Sequence, residues 1–286
     1  MSPRPRSVVL VLVLLLLGAC SSTRLAYNHA DLMLRWRATS FLDVHGAQSD
    51  ELDARIASFL AWHRRHALPE YGALAEQAAA RVERGPSRAD LVWGYDSLLE
   101  QARESVRAAA AEIAGLLDAL GPEQIAHFEQ RIAEDNRSFA EENLAGTPQE
   151  RRKARRQRNV ERLEDWLGTL TEPQLERVKR YSDQAPLADE YRDQDRRRRQ
   201  AELLGMVQAR EASRRLAGWA QGWNLDRDPA YEAAARAHLK ELFDMLLDLD
   251  RMMTPRQRER VVARLRALAG DFSHLAAQGM DKGAPR

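Results

Sequence analysis

Residues 91–124 read LVWGYDSLLEQARESVRAAAAEIAGLLDALGPEQ. Leu91, Tyr95, Leu98, Ala102, Val106, Ala109, Ile113, Leu116 and Leu120 step through the run by threes and fours. Side chains so spaced fall on one side of an α-helix, which predicts a helix of about eight turns whose narrow seam packs along a partner. Gly121-Pro122 ends it. Proline in the first turn of the next helix costs little, because its missing amide would have no intrahelical partner there. Gln124, three residues past Gly121, can reach back to that glycine's amide in the manner of a capping box.

The same corner returns along the chain. Leu120-Gly121-Pro122-Glu123-Gln124 is followed by Leu170-Thr171-Glu172-Pro173-Gln174 and Met253-Thr254-Pro255-Arg256-Gln257, and Val44-His45-Gly46-Ala47-Gln48 is a weaker copy. Each has an apolar residue, a stop-and-cap residue, two variable positions and a glutamine. Gln124, Gln174 and Gln257 thus mark tight junctions between antiparallel helices. The pattern resembles the Leu-Thr-x-x-Gln motif of Spy-like periplasmic chaperones, small α-helical proteins that cradle unfolded clients. That resemblance implies a chaperone-like role; a generic capping box implies only a corner.

Outward from this run the chain keeps helical spacing. Residues 23–42 form a first helix, with Leu25, Leu32, Trp36 and Phe41 at mostly helical intervals, and a second runs from about Ser49 to His66 until Pro69 interrupts it. Gly85-Pro86-Ser87 is a break, with Ser87 placed to cap the long helix. Another long helix is expected from Leu187 to about Gly222, its polar middle, Asp193 to Gln200, in solvent. Tyr231, Ala235, Leu239, Leu242, Leu246, Leu249 and Met253 give a second clean stripe. Ala, Leu, Arg and Glu dominate, β-branched residues are few, and no stretch alternates as a strand would. The expected fold is all-α, an elongated antiparallel bundle of hairpins joined at capping-box corners.

The N-terminus has a different character. Arg4 and Arg6 precede the apolar run Val8–Leu17, then Leu17-Gly18-Ala19-Cys20. Ten helical residues rise about 15 Å, half a bilayer core of roughly 30 Å, so the run is an export signal and not a span. Leu17, Gly18, Ala19 and Cys20 resemble the lipobox of bacterial lipoproteins. This implies cleavage before Cys20, lipidation of its thiol, and multiple acyl chains sufficient for stable anchoring. Ser21 in place of aspartate points, by the sorting of such lipoproteins, to the periplasmic face of the outer membrane. The organisation expected is a signal peptide over 1–19, a helical periplasmic domain over 20–277 and a frayed tail over 278–286. Arg24-Leu25-Ala26-Tyr27-Asn28, Leu34-Arg35-Trp36, Leu60-Ala61-Trp62-His63-Arg64-Arg65 and Leu68-Pro69-Glu70-Tyr71 resemble a family of uncharacterised Gram-negative lipoproteins, which implies fold and location only.

The chain has 44 basic and 43 acidic residues, and removal of the signal takes two arginines and no acid. A near-neutral mature protein has no global field to draw it onto a polyanion, so nucleic acid is not an expected partner. The single cysteine leaves no intramolecular disulfide. No Gly-x-Ser-x-Gly, phosphate-binding glycine loop or His-Glu-x-x-His occurs. His63, His66 and Glu70 could share a helix face, but Pro69 disturbs it and no third strong ligand joins the pair. Asp189 with Glu190, and Glu141 with Glu142, are adjacent and point apart on a helix. No catalytic residue, metal or cofactor is expected.

Two arginine runs remain. Arg151, Arg152, Arg155 and Arg156 form one, within a stretch reaching Arg158, and Arg196, Arg197, Arg198 and Arg199 form the other. Such runs are solvated faces or contacts for anions, whose oxygens the guanidinium fork binds in pairs. Side by side they would make one basic ridge for anionic lipid, lipopolysaccharide phosphates or an acidic protein. Trp219 and Trp223 share a helix face as core or as a groove. The leading expectation is a non-enzymatic envelope binding or scaffold lipoprotein, chaperone-like in its sharper form, with the membrane, an envelope protein or an unfolded client as partner. The alternative is an envelope enzyme, or an activator of one, acting on peptidoglycan.

Overall fold

The computed structural model describes residues 23–281, with side chains described as far as Gln278. Leu17, Gly18, Ala19 and Cys20 lie outside the described residues. Every regular element within them is helical. After a helical segment at 23–28 and a turn at His29 come α1 (Ala30–Leu42), α2 (Ala47–Trp62), a π turn (His63–Ala67), α3 (Leu68–Glu83), α4 (Arg88–Asp118) and α5 (Pro122–Asn143). Then follow α6 (Pro148–Leu167), α7 (Glu172–Gln184), α8 (Asp189–Gln208), α9 (Ala212–Gln221), α10 (Pro229–Met252) and α11 (Pro255–Asp281).

Local chemistry explains most boundaries. The Ser87 hydroxyl accepts from the Asp90 amide while the Asp90 carboxylate accepts from the Ser87 amide, a full capping box at the start of α4. Thr147 and Glu150 do the same for α6. Pro122, Pro148, Pro229 and Pro255 each open a helix where no amide is needed.

Three expectations change. Pro69 does not interrupt the chain, because the turn ahead of it widens. Leu68 donates to the His63 carbonyl five residues back, and the π turn absorbs the ring that a regular helix would exclude. The long helix expected from Leu187 to Gly222 is two, α8 and α9, parted at Arg210, whose φ is +54°. Its polar middle is not wholly in solvent: Asp193 is buried and Arg196 lies over the Phe139 ring.

The core has three clusters. Leu42, Leu52, Leu116, Leu120, Phe128, Met206 and Leu216 centre the first, between α1, α2, the second half of α4, α5, α8 and α9. Leu167, Leu170, Val178, Tyr181, Met245 and Leu249 centre the second, between α6, α7 and α10. Leu68, Leu275 and Ala276 centre the third, where α3 meets α11. The seam predicted on α4 is buried only toward its C-terminal end. Leu116 and Leu120 are fully covered, whereas Tyr95, Leu98 and Val106 stay exposed.

Candidate anion-binding cavity

Four elements converge on one arginine-lined hollow of the described residues. They are the end of α5, the first half of α6, the link from Pro186 into α8, and the first half of α10; together they enclose a cavity of about 560 Å³. Arg151, Arg155 and Arg158 enter it from α6 and Arg192 from α8. Positions 151, 155 and 158 share a helix face, which is why these three of the run reach one space. Tyr231, His238, Leu239 and Leu242 of α10 and Tyr95 of α4 supply an apolar and aromatic wall, and Glu142, Glu150 and Asp189 stand around it.

Two of the arginines are held firmly. Arg155 donates to the carbonyls of Pro186 at 3.0 Å, Ala185 at 2.7 Å and Ser182, closing the end of α7. Burial lowers the pKa of its guanidinium, and the group stays charged. Arg151 pairs with Glu190 at 2.5 Å. That ion pair, after allowance for burial, keeps the Glu190 carboxyl below its ordinary value. Arg151 Nε and Nη1 and Arg155 Nε are buried, and no protein atom accepts from them. Beside them His238 Nε2 meets the Tyr181 hydroxyl at 3.0 Å. Burial first, then Arg155, lowers the pKa of His238, so it is neutral near pH 7, while burial raises that of Tyr181. The cavity therefore combines fixed positive charge and an apolar wall, and two of its arginines keep unpartnered nitrogens, which suits an anion attached to an apolar body.

The two predicted arginine runs do not join as whole runs. Arg151 and Arg155 line the cavity, whereas Arg152 and Arg156 fall on the next face of α6. Arg196 donates to Asn136 at 2.9 Å and to Asp135 at 3.1 Å. Arg197 pairs with Asp193, and Arg198 with Asp195 and Glu202. Arg199 donates to the Trp219 carbonyl and stacks on its ring. The second run is thus engaged with its own fold, and α8 reaches the cavity through Arg192 instead. Arg192 and His238 were not singled out by sequence. The only local signal for Arg192 was its place in the charged start of α8.

The other candidates take separate places. Tyr27 Oη meets His63 Nδ1 at 2.8 Å, and the Trp62 and His66 rings lie 5.7 Å apart. Trp219 packs on the first cluster and donates to Glu202, while Trp223 stands near Arg227 at the surface. The corner glutamines meet in pairs. Gln174 and Gln257 exchange side-chain hydrogen bonds at 3.0 and 3.1 Å, and Gln124 and Gln48 do so at 2.7 and 3.3 Å.

Fold and site define an all-helical protein with an arginine-lined cavity and no strand among the described residues. A model for a family of unknown function, DUF6279, matches residues 40–220, and the chain belongs to that family. No curated protein and no solved structure matches it.

Proposed function

We propose that this is a non-enzymatic binding lipoprotein of the bacterial envelope, anchored through Cys20 to the periplasmic face of the outer membrane and receiving an anionic partner in the α6–α8–α10 cavity. The observation that carries the binding role is the set of buried guanidinium nitrogens on Arg151 and Arg155 without an acceptor. A buried donor left unmade costs about 1–3 kcal/mol, so a ligand oxygen that meets it gains that much. Phosphate-bearing amphiphiles fit, since the charge has the arginines and the apolar part has Tyr231, Leu239 and Leu242.

Titration calorimetry with glycerol 3-phosphate and with a short-chain phosphatidic acid tests this. Saturable binding of the lipid, tighter than that of the headgroup, is expected, with a steep loss in Arg151→Gln and Arg158→Gln. Equal heats in the variants and the natural chain would refute it. Mass spectrometry of the natural protein checks the anchor: a diacylglyceryl or triacyl adduct on an N-terminal Cys20 is expected, and an unmodified thiol removes the proposed location.

The chaperone-like form of this reading has its own support in the exposed Val92, Tyr95, Leu98 and Val106 of α4. Suppression of aggregation of a denatured client without nucleotide is its expected result, and none at excess protein sinks it.

A further inference from the structure

The first helix puts its large apolar side chains on the wrong side for a core. Leu25, Leu32, Met33 and Trp36 are 60%, 61%, 64% and 67% exposed. At the spacing of α1, Leu32, Met33 and Trp36 fall within about one quadrant, and Leu25 precedes them on the segment 23–28. The opposite side already has its partners. Leu42 is buried, and Ala38 and Phe41 pack on the first core cluster. The outer stripe therefore does nothing for the fold. Single exposed leucines are ordinary, but three large apolar residues gathered on one face of α1, with a fourth on the segment just before it, are not.

The edges of the stripe are cationic. Arg35 and Arg37 lie on its two sides, each about half exposed; Arg35 pairs with Asp53 at 2.7 Å, and Arg37 lies over the Phe41 ring with Asp135 at 3.4 Å. A tryptophan and leucines between long basic side chains is the composition of a helix lying in a lipid interface, where the ring sits at headgroup level and the arginines reach outward to phosphates. The described residues open in a helical segment at residue 23, three residues past Cys20. Leu25 is five residues from Cys20, no more than about 17 Å away even at full extension, so an acyl group at Cys20 would keep it near the headgroups. That last point rests on the lipidation proposed above; the exposed stripe does not.

We infer that the face Leu25–Leu32–Met33–Trp36 is a bilayer-docking surface, which lays the first helix along anionic phospholipid. Its second role is orientation. A lipid tether alone leaves the body free to turn, whereas a helix lying on the surface fixes which side faces the membrane.

The test uses residues 20–286 carrying Cys20→Ser, which keeps every described residue and carries no acyl group. Vesicles of phosphatidylethanolamine and phosphatidylglycerol at 3:1 are floated with it. Co-flotation is expected, with a loss of roughly tenfold or more in Leu32→Ser/Trp36→Ser, since two buried apolar side chains contribute on that scale. A parallel readout guards against misfolding. The same background has no other cysteine, so Met33→Cys can carry an environment-sensitive fluorophore. A blue shift on adding vesicles, absent from the same label at Lys240→Cys on α10, is the expected result. No flotation, or flotation and spectra indifferent to these changes, would overturn the inference. So would a vesicle-independent dimer abolished by Leu32→Ser/Trp36→Ser, which would assign the face to a second copy. None of these outcomes depends on whether Cys20 is acylated, so the docking face and the anchor stand or fall separately.

Discussion

Gln174 is fully buried, and all its amide chemistry is spent. Its Oε1 accepts from the Thr171 amide and from Gln257 Nε2, and its Nε2 donates to the Met252 carbonyl and to Gln257 Oε1. Gln174→Ala strands the Thr171 amide, the Met252 carbonyl and half of Gln257. A loss of about 3 kcal/mol in denaturant unfolding is expected, with Gln174→Ala/Gln257→Ala costing less than the sum of the singles. Strict additivity would mean that the two amides do not act as a unit. The sequence showed each glutamine's reach to its own corner. It could not show that the corners meet, because that pairing spans 83 residues. Two half-buried histidines add a pH term. Burial is the main cause that lowers the pKa of His63 and of His238 from 6.5. The unfolded chain then binds protons that the fold resists, so stability is complete above about 6.5 and falls with pH toward the lower folded values. The denaturation midpoint should drop through that window and drop less in His238→Gln; a flat profile contradicts the assignment.

Elements end here for local and for distant reasons, and only the local ones can be read from the chain. Ser87 and Thr147 announce their helices. The break between α8 and α9 has no such signal. It is made by Asp118, at the end of α4, whose carboxylate accepts from the amides of Ala212 at 2.8 Å and Ser213 at 2.9 Å. Burial alone would raise the pKa of that carboxyl, but the Ser213 hydroxyl and amide, the Ala212 amide and Arg210 outweigh it and hold it below its ordinary value. Arg210, in turn, donates to the carbonyls of Asp118 and Leu120. Asp118→Ala should cost about 1–2 kcal/mol, the usual loss for a helix cap, and should weaken hydrogen-exchange protection in α9 before that in α7. Equal protection in both would place the cap elsewhere. The crossing of α3 and α11 is equally tight. A Cβ at Gly72 would meet the Ala269 carbonyl and Ser273 Oγ at 3.4 Å. Gly72→Leu must push the helices apart, and a loss of roughly 1–3 kcal/mol is expected in thermal or denaturant unfolding. The arginine-lined cavity divides along the same line: Arg151, Arg155 and Arg158 share a legible helical face, while Arg192 and His238 arrive by tertiary packing.

The whole molecule repeats one plan. In the first half α1 packs on α2 and α5, and α2 on α4; in the second α6 packs on α7 and α11, and α7 on α10. Each half closes on one glutamine pair, and in each pair a glutamine donates to the carbonyl five residues before its partner. Gln48 reaches Ala119 and Gln124 reaches Asp43, just as Gln174 reaches Met252 and Gln257 reaches Thr169. The remaining helices cross between halves. α3, from the first, packs on α11 of the second; α8 and α9, from the second, pack on α5 and α4 of the first. Neither half can bury its own faces, because the helices that cover them belong to the other. This predicts one cooperative unit. Unfolding followed by far-ultraviolet dichroism and by tryptophan fluorescence should give coincident transitions, and Gln124→Ala, in the first clasp, should lower both by the same amount. The tryptophans are spread over both halves: Trp36, Trp62 and Trp93 belong to the first, Trp166 and Trp223 to the second, and Trp219 of α9 packs on the first cluster. Two separated transitions, with only one responding to Gln124→Ala, would show that the halves fold independently and that their crossing helices contribute little.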